Sequence, residues 1–240
     1  YHMTYHGTIK GSSGAIVEVE WRDKPPKIHS VLTIVGHKES KLVVVASASP
    51  ISVYCMVLHS SGKIARGQKI IDTHQPISIP VGEGVLGRVI DIFGNPHDGG
   101  ESIKTEHTRP LFSPIKVSES ELVHATEIQE TGIKPIDFFT PMVRGGKTAL
   151  VGGAGIGKTV ILTELINRLV VQSKQDKDQV AVFSAVGERS REALELFEAL
   201  RQGQVLSHTS LIVGQMGENP AVRWHTAFGS TAIVEHLRDV

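Results

Sequence analysis

The stretch Leu150-Val151-Gly152-Gly153-Ala154-Gly155-Ile156-Gly157-Lys158-Thr159 constrains this chain more than any other. It has the G-x-x-x-x-G-K-[ST] form, a phosphate-binding pattern that is believable only where a strand enters the loop and a helix leaves it. Both flanks fit. Thr148 to Val151 is a short apolar run entered from Gly145-Gly146-Lys147, and Leu162, Leu165, Ile166, Leu169 and Val170 recur at helical spacing as one stripe. Triphosphate oxygens need backbone N–H groups pointing inward, and glycines at 152, 153, 155 and 157 leave that approach open. The positive end of the following helix adds to the attraction. Lys158 then reaches the β and γ phosphates, and the Thr159 hydroxyl ligates the accompanying magnesium. The expected cradle for ATP or ADP runs from Gly152 through Ala154, Ile156 and Lys158 to Val160. The bland alternative is a glycine-rich turn that happens to precede Lys-Thr, which the strand and helix context argues against.

Composition sets outer bounds on the rest. The 240 residues are 40% hydrophobic and 21% charged, an ordinary globular balance with room for two domains. Basic and acidic residues number 25 each, so nothing suggests a nucleic-acid or anionic-membrane surface. The single cysteine, Cys55, excludes an internal disulfide, fits a reducing compartment and reads as a small buried side chain. No run approaches the ~20 apolar residues that span a bilayer, and no secretory leader is expected. Tyr1-His2-Met3 reads as an expression scar. The 12 histidines show no metal-binding spacing, so no metal beyond magnesium is expected.

Taken in order, the first part reads as all β. Gly14 to Trp21, Val31 to Val35, Leu42 to Ala46, Val53 to Leu58 and Gln68 to Asp72 are short, rich in Val and Ile, and separated by turn residues. Alternation such as Ile16, Glu18, Glu20 against Val17, Val19, Trp21 suits a small barrel or sandwich, expected over residues 4–80. The turn-rich Pro76 to Gly84 marks a boundary, and residues 81–240 are expected to form a nucleotide-binding domain. In it Val85 to Phe93 reads as a strand ended by Gly94-Asn95-Pro96, followed by an ordered loop from His97 to Glu121. Ile133 to Thr140 reads as a short helix with Pro135 in its first turn. Val180 to Val186 reads as a strand buried on both faces, and Arg191 to Arg201 as a helix with Ala193, Leu196, Phe197 and Leu200 inward and Gly203 at its end. Ser210 to Val213 is the next buried strand, and Asn219-Pro220 opens a last helix through about Arg238. Alternating strands and helices predict an α/β fold, a mostly parallel sheet with helices on both faces, after the small barrel.

A second informative stretch is Val186-Gly187-Glu188-Arg189-Ser190-Arg191-Glu192, at the carboxyl end of a predicted strand, where open parallel sheets bind ligands. Glu188 is placed to polarise an attacking water, Arg189 to pair with the γ phosphate, and Glu192 to hold a water of the magnesium shell. The competing reading is a charged first turn of a surface helix, with glutamate there for dipole reasons.

These two stretches, with Gly214-Gln215-Met216, Pro80-Val81-Gly82-Glu83-Gly84, Leu86-Gly87-Arg88 and Glu130-Thr131-Gly132-Ile133-Lys134-Pro135-Ile136-Asp137, together resemble the β subunit of F-type ATP synthases. The resemblance covers Thr4 to Val240. It implies an N-terminal barrel, then a P-loop nucleotide-binding domain, in a catalytic subunit that makes or hydrolyses ATP coupled to ion transport. It implies α-type subunits alternating with it in a hexamer, a central rotor subunit, and a peripheral place on the cytoplasmic face of the cell or inner membrane or its organelle equivalent. For sites it implies Lys158 and Thr159 on phosphate and Mg2+, Glu188 activating water, Arg189 on the γ phosphate, and Glu192 on the metal's waters.

Two departures stand out. The family continues Gly-Gln-Met as Asn-Glu-Pro-Pro-Gly, whereas this chain has Gly217-Glu218-Asn219-Pro220-Ala221 and an unusual following helix, Trp224 to Thr231. The chain also reads as stopping, at Val240, before the family's second magnesium-linked aspartate, so the expectation is a fragment with little turnover alone. A non-catalytic α-type subunit, a secretion or flagellar export ATPase, and a nucleotide-binding assembly module without turnover stay open as alternatives. The α-type family has Gln where Glu188 stands.

Overall fold

A computed structural model of the chain describes residues 7–60, 62–105, 107–113, 127–153, 155–171 and 179–239, without the side chains of Lys38 and Val171. The reading of Tyr1-His2-Met3, Ala154 of the glycine loop, the end of the His97 to Glu121 passage and Val240 lie outside the described residues.

Six strands close a barrel: β1 (Gly7–Ser13), β2 (Ile16–Trp21), β3 (Ser30–Ile34), β4 (His37–Ser49), β5 (Ser52–His59) and β6 (Lys69–Pro76), in the order β1-β2-β5-β4-β3-β6. The alternation seen in the sequence is what fills it. Val17, Val19 and Trp21 point inward with Leu32, Leu42, Val44, Cys55 and Ile70, while Glu18 and Glu20 stay outside. Strand β1 is the one element that the pattern did not show, because Gly7, Gly11, Ser12 and Ser13 interrupt its alternation. Its Gly7 is nonetheless required, since a Cβ there would stand 3.0 Å from Val19 Cγ1 and 3.1 Å from Trp21 Cζ2.

Beyond the barrel, β7 (Ser78–Pro80) runs antiparallel to β9 (Thr108–Pro110), with β8 (Val89–Ile90) between them in sequence. The strand read over Val85 to Phe93 shrinks to these two residues of β8. Val85 closes a 3-10 turn, Gly87 turns the chain at φ 78°, and Asp91 folds the other end back. The Asp91 carboxylate accepts from the amides of Phe93 (2.8 Å) and Asn95 (2.9 Å) and from Asn95 Nδ2 (2.7 Å). A small ladder of β10 (Ile128–Gln129) and β11 (Met142–Val143) brackets helix α1 (Lys134–Phe139). Asp137 holds that bend by accepting from Thr131 Oγ1 at 2.6 Å and from the amides of Thr131 and Gly132.

The last part alternates as read: α2 (Lys158–Ile166), continued by one π turn over Asn167–Val171, then β12 (Ala181–Val186), α3 (Ser190–Gln202), β13 (Thr209–Gly214) and α4 (Pro220–Asp239). Strands β12, β13 and β8 make a parallel sheet in that order. Every residue of β13 is buried, and α3 buries Ala193, Leu196 and Leu200 as the periodicity required. Asn219 Oδ1 accepts from the Ala221 amide at 3.0 Å, so the N-cap of α4 is where the sequence placed it.

Two expectations are corrected. Thr148 to Val151 forms no strand; it lies as exposed coil, with Leu150 at 46% and Val151 at 90% exposure. Four apolar residues become a strand only where a neighbour takes their ladder hydrogen bonds, and among the described residues none does. For the same reason β12 is half-buried rather than covered on both faces: among the described residues β13 is its one partner, which leaves it at the edge of that sheet. Of the helical stripe on α2, Leu165 alone is fully buried.

Helix α4 ties the two parts together. Ile79, Ile92, Ile212, Ala221 and Ile233 share one apolar cluster with the barrel residues Val43 and Leu58. Two of its buried hydroxyls are satisfied along the helix, Thr226 Oγ1 donating to the Val222 carbonyl and Ser230 Oγ to that of Thr226.

Candidate functional site

The glycine loop leads directly into helix α2. Gly157 stands at the N-cap of α2 with φ 86°, and Gly155 has φ 75°, conformations that side chains rarely adopt. A Cβ added at Gly153, Gly155 or Gly157 would meet no atom within 4 Å, so the inner side of the loop is open. At Gly152 a Cβ would stand 2.0 Å from Ile156 Cδ1, which puts the Ile156 side chain across the mouth of the loop. The Lys158 ammonium donates to the Gly152 carbonyl at 2.9 Å and to that of Gly153. In this state the lysine closes on its own loop, and phosphate oxygens would replace those carbonyls as its acceptors. Thr159 and Val160 are exposed on the first turn, and the Thr159 carbonyl accepts from Thr163 Oγ1.

The glutamate segment follows β12 at the carboxyl edge of the sheet. Gly187 turns the chain at φ 72°, Arg189 is the exposed N-cap of α3, and Glu192 sits in the first helical turn. The turn after β13 holds this segment by three hydrogen bonds. The Gly187 amide donates to the Gly214 carbonyl (2.7 Å), the Met216 amide to that of Glu188 (2.9 Å), and Ser190 Oγ to Gln215 Oε1 (2.9 Å). Glu218 in turn accepts from the Gln215 amide at 3.2 Å. This support was not read from sequence. Gly214-Gln215-Met216 was noticed as a motif, but a pairing of Ser190 with Gln215 depends on the parallel register of β12 and β13, which sequence spacing does not give.

Lys158 and the glutamate segment share one electrostatic environment. Glu188 holds its proton more tightly than an ordinary carboxyl, first because it shares a hydrogen bond with Glu192, then through partial burial and the Glu192 charge; the Lys158 ammonium pulls the other way. Lys158, Glu188 and Glu192 are therefore brought together. Arg191 is turned along the surface to Glu195 at 2.8 Å. The Thr159 hydroxyl and the Glu192 carboxylate are hard oxygen donors, which suits magnesium better than a softer metal. No group of three His, Cys, Asp or Glu side chains able to hold a metal occurs among the described residues.

Residues 132–240 match the model of the ATP synthase alpha/beta family, nucleotide-binding domain, a segment that contains the glycine loop, the glutamate segment and the turn after β13. The chain is 37% identical over 235 residues to ATP synthase subunit beta 1 of Dinoroseobacter shibae. This chain is ATP synthase β-subunit-like. The alignment takes in 98% of the chain but 49% of that relative, so the chain spans about half the length of the protein it matches. The β-subunit-like likeness also includes the barrel, which the family model leaves out. The departure at Gly217-Glu218-Asn219-Pro220 acquires a structural meaning in this β-subunit-like chain. Glu218 folds back on Gln215 and Asn219 caps α4, so the divergent residues close the turn locally.

Proposed function

We propose that the chain is the catalytic β-type part of a rotary ATP synthase, binding Mg2+ with ATP or ADP in the P-loop at Gly152 to Val160. In that reading it makes or hydrolyses ATP coupled to ion transport across a membrane. It would alternate with α-type subunits in a hexamer around a central rotor subunit, peripheral on the cytoplasmic face of the cell or inner membrane or its organelle equivalent. No helix among the described residues is long and apolar enough to cross a membrane. The observation that carries the reading is the pairing of an anion-binding helix start with a proton-holding carboxyl: the Lys158 charge reaches Glu188 from a separate segment of the chain.

The roles follow from the groups. The open backbone of Gly153, Gly155 and Gly157 faces phosphate, and Lys158 exchanges its loop carbonyls for phosphate oxygens. Bound magnesium neutralises phosphate charge and orients the transferring group. Thr159 would hold it directly and Glu192 through water. Glu188, with its raised proton affinity, accepts the proton of the attacking water in hydrolysis and returns it in synthesis. Arg189, exposed beside it, pairs with the γ phosphate as charge develops there. Glu188 itself argues against the α-type reading, and Gly214-Gln215-Met216 against an export ATPase.

Calorimetric titration with magnesium ATP, followed by phosphate release, tests the assignment. Lys158→Ala removes a charged donor and should weaken binding by about ten- to a hundredfold, the worth of a hydrogen bond to a charged group. Glu188→Gln should leave affinity within about threefold. Placed in the assembled enzyme, the same change should cut kcat by ~10² or more, the scale of a general base. Parent-rate hydrolysis by Glu188→Gln would return Glu188 to a helix-start glutamate. Unchanged affinity in Lys158→Ala would remove the loop from the phosphate site.

A further inference from the structure

The junction between the barrel and helix α4 holds a second pair of titratable groups that the nucleotide chemistry does not use. His29, in the turn between β2 and β3, stacks flat on Phe112, with ring centroids 3.8 Å apart and 13° between planes. Phe112 also meets His225 on α4 edge to face, with ring centroids 5.7 Å apart and 86° between planes. One aromatic ring from the segment after β9 thus touches both an imidazole of the barrel and an imidazole of the last helix.

The backbone makes this placement deliberate. His29 adopts φ 71°, a left-handed conformation that histidine tolerates better than most residues. Its amide donates to the Val44 carbonyl at 2.8 Å, and its own carbonyl accepts from the Ile77 amide. The Ile77 carbonyl in turn accepts from Leu111, the neighbour of Phe112, at 3.0 Å. His225 is fully buried, and its Nδ1 lies 2.7 Å from the Ala221 carbonyl. A carbonyl only accepts, so Nδ1 carries the hydrogen and Nε2 is the bare nitrogen of the neutral ring. That Nε2 is buried without a partner, and so is Nδ1 of His29.

We propose that His29, Phe112 and His225 form an acid-sensitive latch between the barrel and α4, closed while both imidazoles are neutral and released when His225 takes up a proton. Protonation would place an N–H+ at a buried position with no acceptor, a costly arrangement in an apolar site. Phe112 and Trp224 lie against the ring, with centroids 5.7 and 4.8 Å from it, and Phe228 packs on Phe112 behind them at 4.7 Å. The charge that reaches His225 is that of His29, and it opposes protonation. The other charged groups of the junction are engaged elsewhere or lie farther along α4. Arg109 from β9 pairs with Glu235 and Asp239, Arg223 stands two residues before His225, and His107 faces His236 at 6.0 Å. Burial lowers the proton affinity of both His29 and His225. The sign follows from that direction. A histidine whose folded pKa lies below its unfolded value lends stability that is complete above about pH 6.5 and is lost as pH falls through the folded pKa.

Amide hydrogen exchange of the whole chain, followed from about pH 8 to about pH 5 and corrected for intrinsic rates, tests the latch across the ordinary histidine range. Exchange at α4 and at the His29 and Ile77 amides should accelerate about tenfold per pH unit below about 6.5, until the folded pKa is reached. The amides of Val19 and Val53 inside the barrel should keep their protection. His225→Phe keeps an apolar ring and should abolish the acid acceleration. His29→Asn, which tolerates the left-handed backbone, should narrow the pH window by removing the opposing charge; it carries the test should the first variant fail to fold. An NMR titration of the His225 ring should give a midpoint below 6.5. Acid acceleration unchanged in both variants, a His225 midpoint at or above 6.5, or loss of protection throughout the chain in one transition would each overturn the proposal.

Discussion

Leu42-Val43-Val44 and Ala149-Leu150-Val151 are both short apolar runs, and they end in opposite states. The first lies in β4 with all three side chains fully buried, each backbone group between β5 and β3. The second is coil, with Val151 at 90% exposure. Composition does not separate them; closure does. A barrel of six strands supplies two neighbours to every strand, so its elements complete one another from a continuous stretch of chain. A parallel sheet draws each neighbour from across a helical crossover, and an apolar run that lacks its neighbour has nothing to pair with. The difference teaches that burial in this chain is decided by topology before it is decided by hydrophobicity.

The largest expected contrast is in hydrogen exchange. Amides of β2 and β5 should exchange only through global unfolding, whereas those of residues 147–159 should exchange through local opening, at rates higher by about a thousandfold or more. Equal protection in the two regions would show that another segment pairs with Thr148 to Val151, and the comparison would collapse.

Side-chain truncation should repeat the contrast on a smaller scale. Leu42→Ala removes a side chain buried on all sides and should cost about 2–5 kcal/mol in urea unfolding. Leu150→Ala, at 46% exposure, should stay within about 0.5 kcal/mol. A matching loss at Leu150 would mean that the segment is packed in solution.

A further effect concerns the segment around β8, where Asp98 accepts from Arg88 Nε (2.6 Å), Arg88 Nη2 (3.0 Å) and the amides of Val89 and Gly100. The Arg88 bond, ahead of the backbone amides, draws the Asp98 pKa down to about 2. A depressed carboxylate lends stability present above its unfolded pKa and lost as pH falls through the folded one, here a window from about 4 to about 2. It is worth about 2 kcal/mol at neutral pH. Asp98→Asn should remove that increment and flatten the acid limb of the stability curve. An unchanged acid limb would show that Arg88 and Asp98 contribute nothing beyond their positions.

Much of this was legible. Short runs rich in Val and Ile between turn residues, several of them alternating, exposed five barrel strands, and Asn219-Pro220 announced α4 by the chemistry of a helix start. What failed was whatever depended on a distant partner. Gly7 helps to hide β1 because its fitness comes from Val19 and Trp21 across the ladder. Thr148 to Val151 reads as a strand because local sequence cannot say whether a neighbour is present. Within the site, Lys158, Thr159, Glu188 and Glu192 could be named from their patterns. The Ser190 to Gln215 bond and the Lys158 carbonyl contacts could not, since they arise from strand register and from the fold of the loop backbone.

The buried Cys55 carries a practical consequence. It lies on β5 at 0% exposure, facing into the barrel, and desolvation raises its pKa to about 12. At neutral pH the thiol stays protonated and faces a wall of Val, Leu and Ile. The folded molecule should therefore react slowly with alkylating and maleimide reagents. One cysteine introduced on the glycine loop or on α4 would then take a spin label or fluorophore alone, and the native thiol would answer only when the barrel itself comes apart.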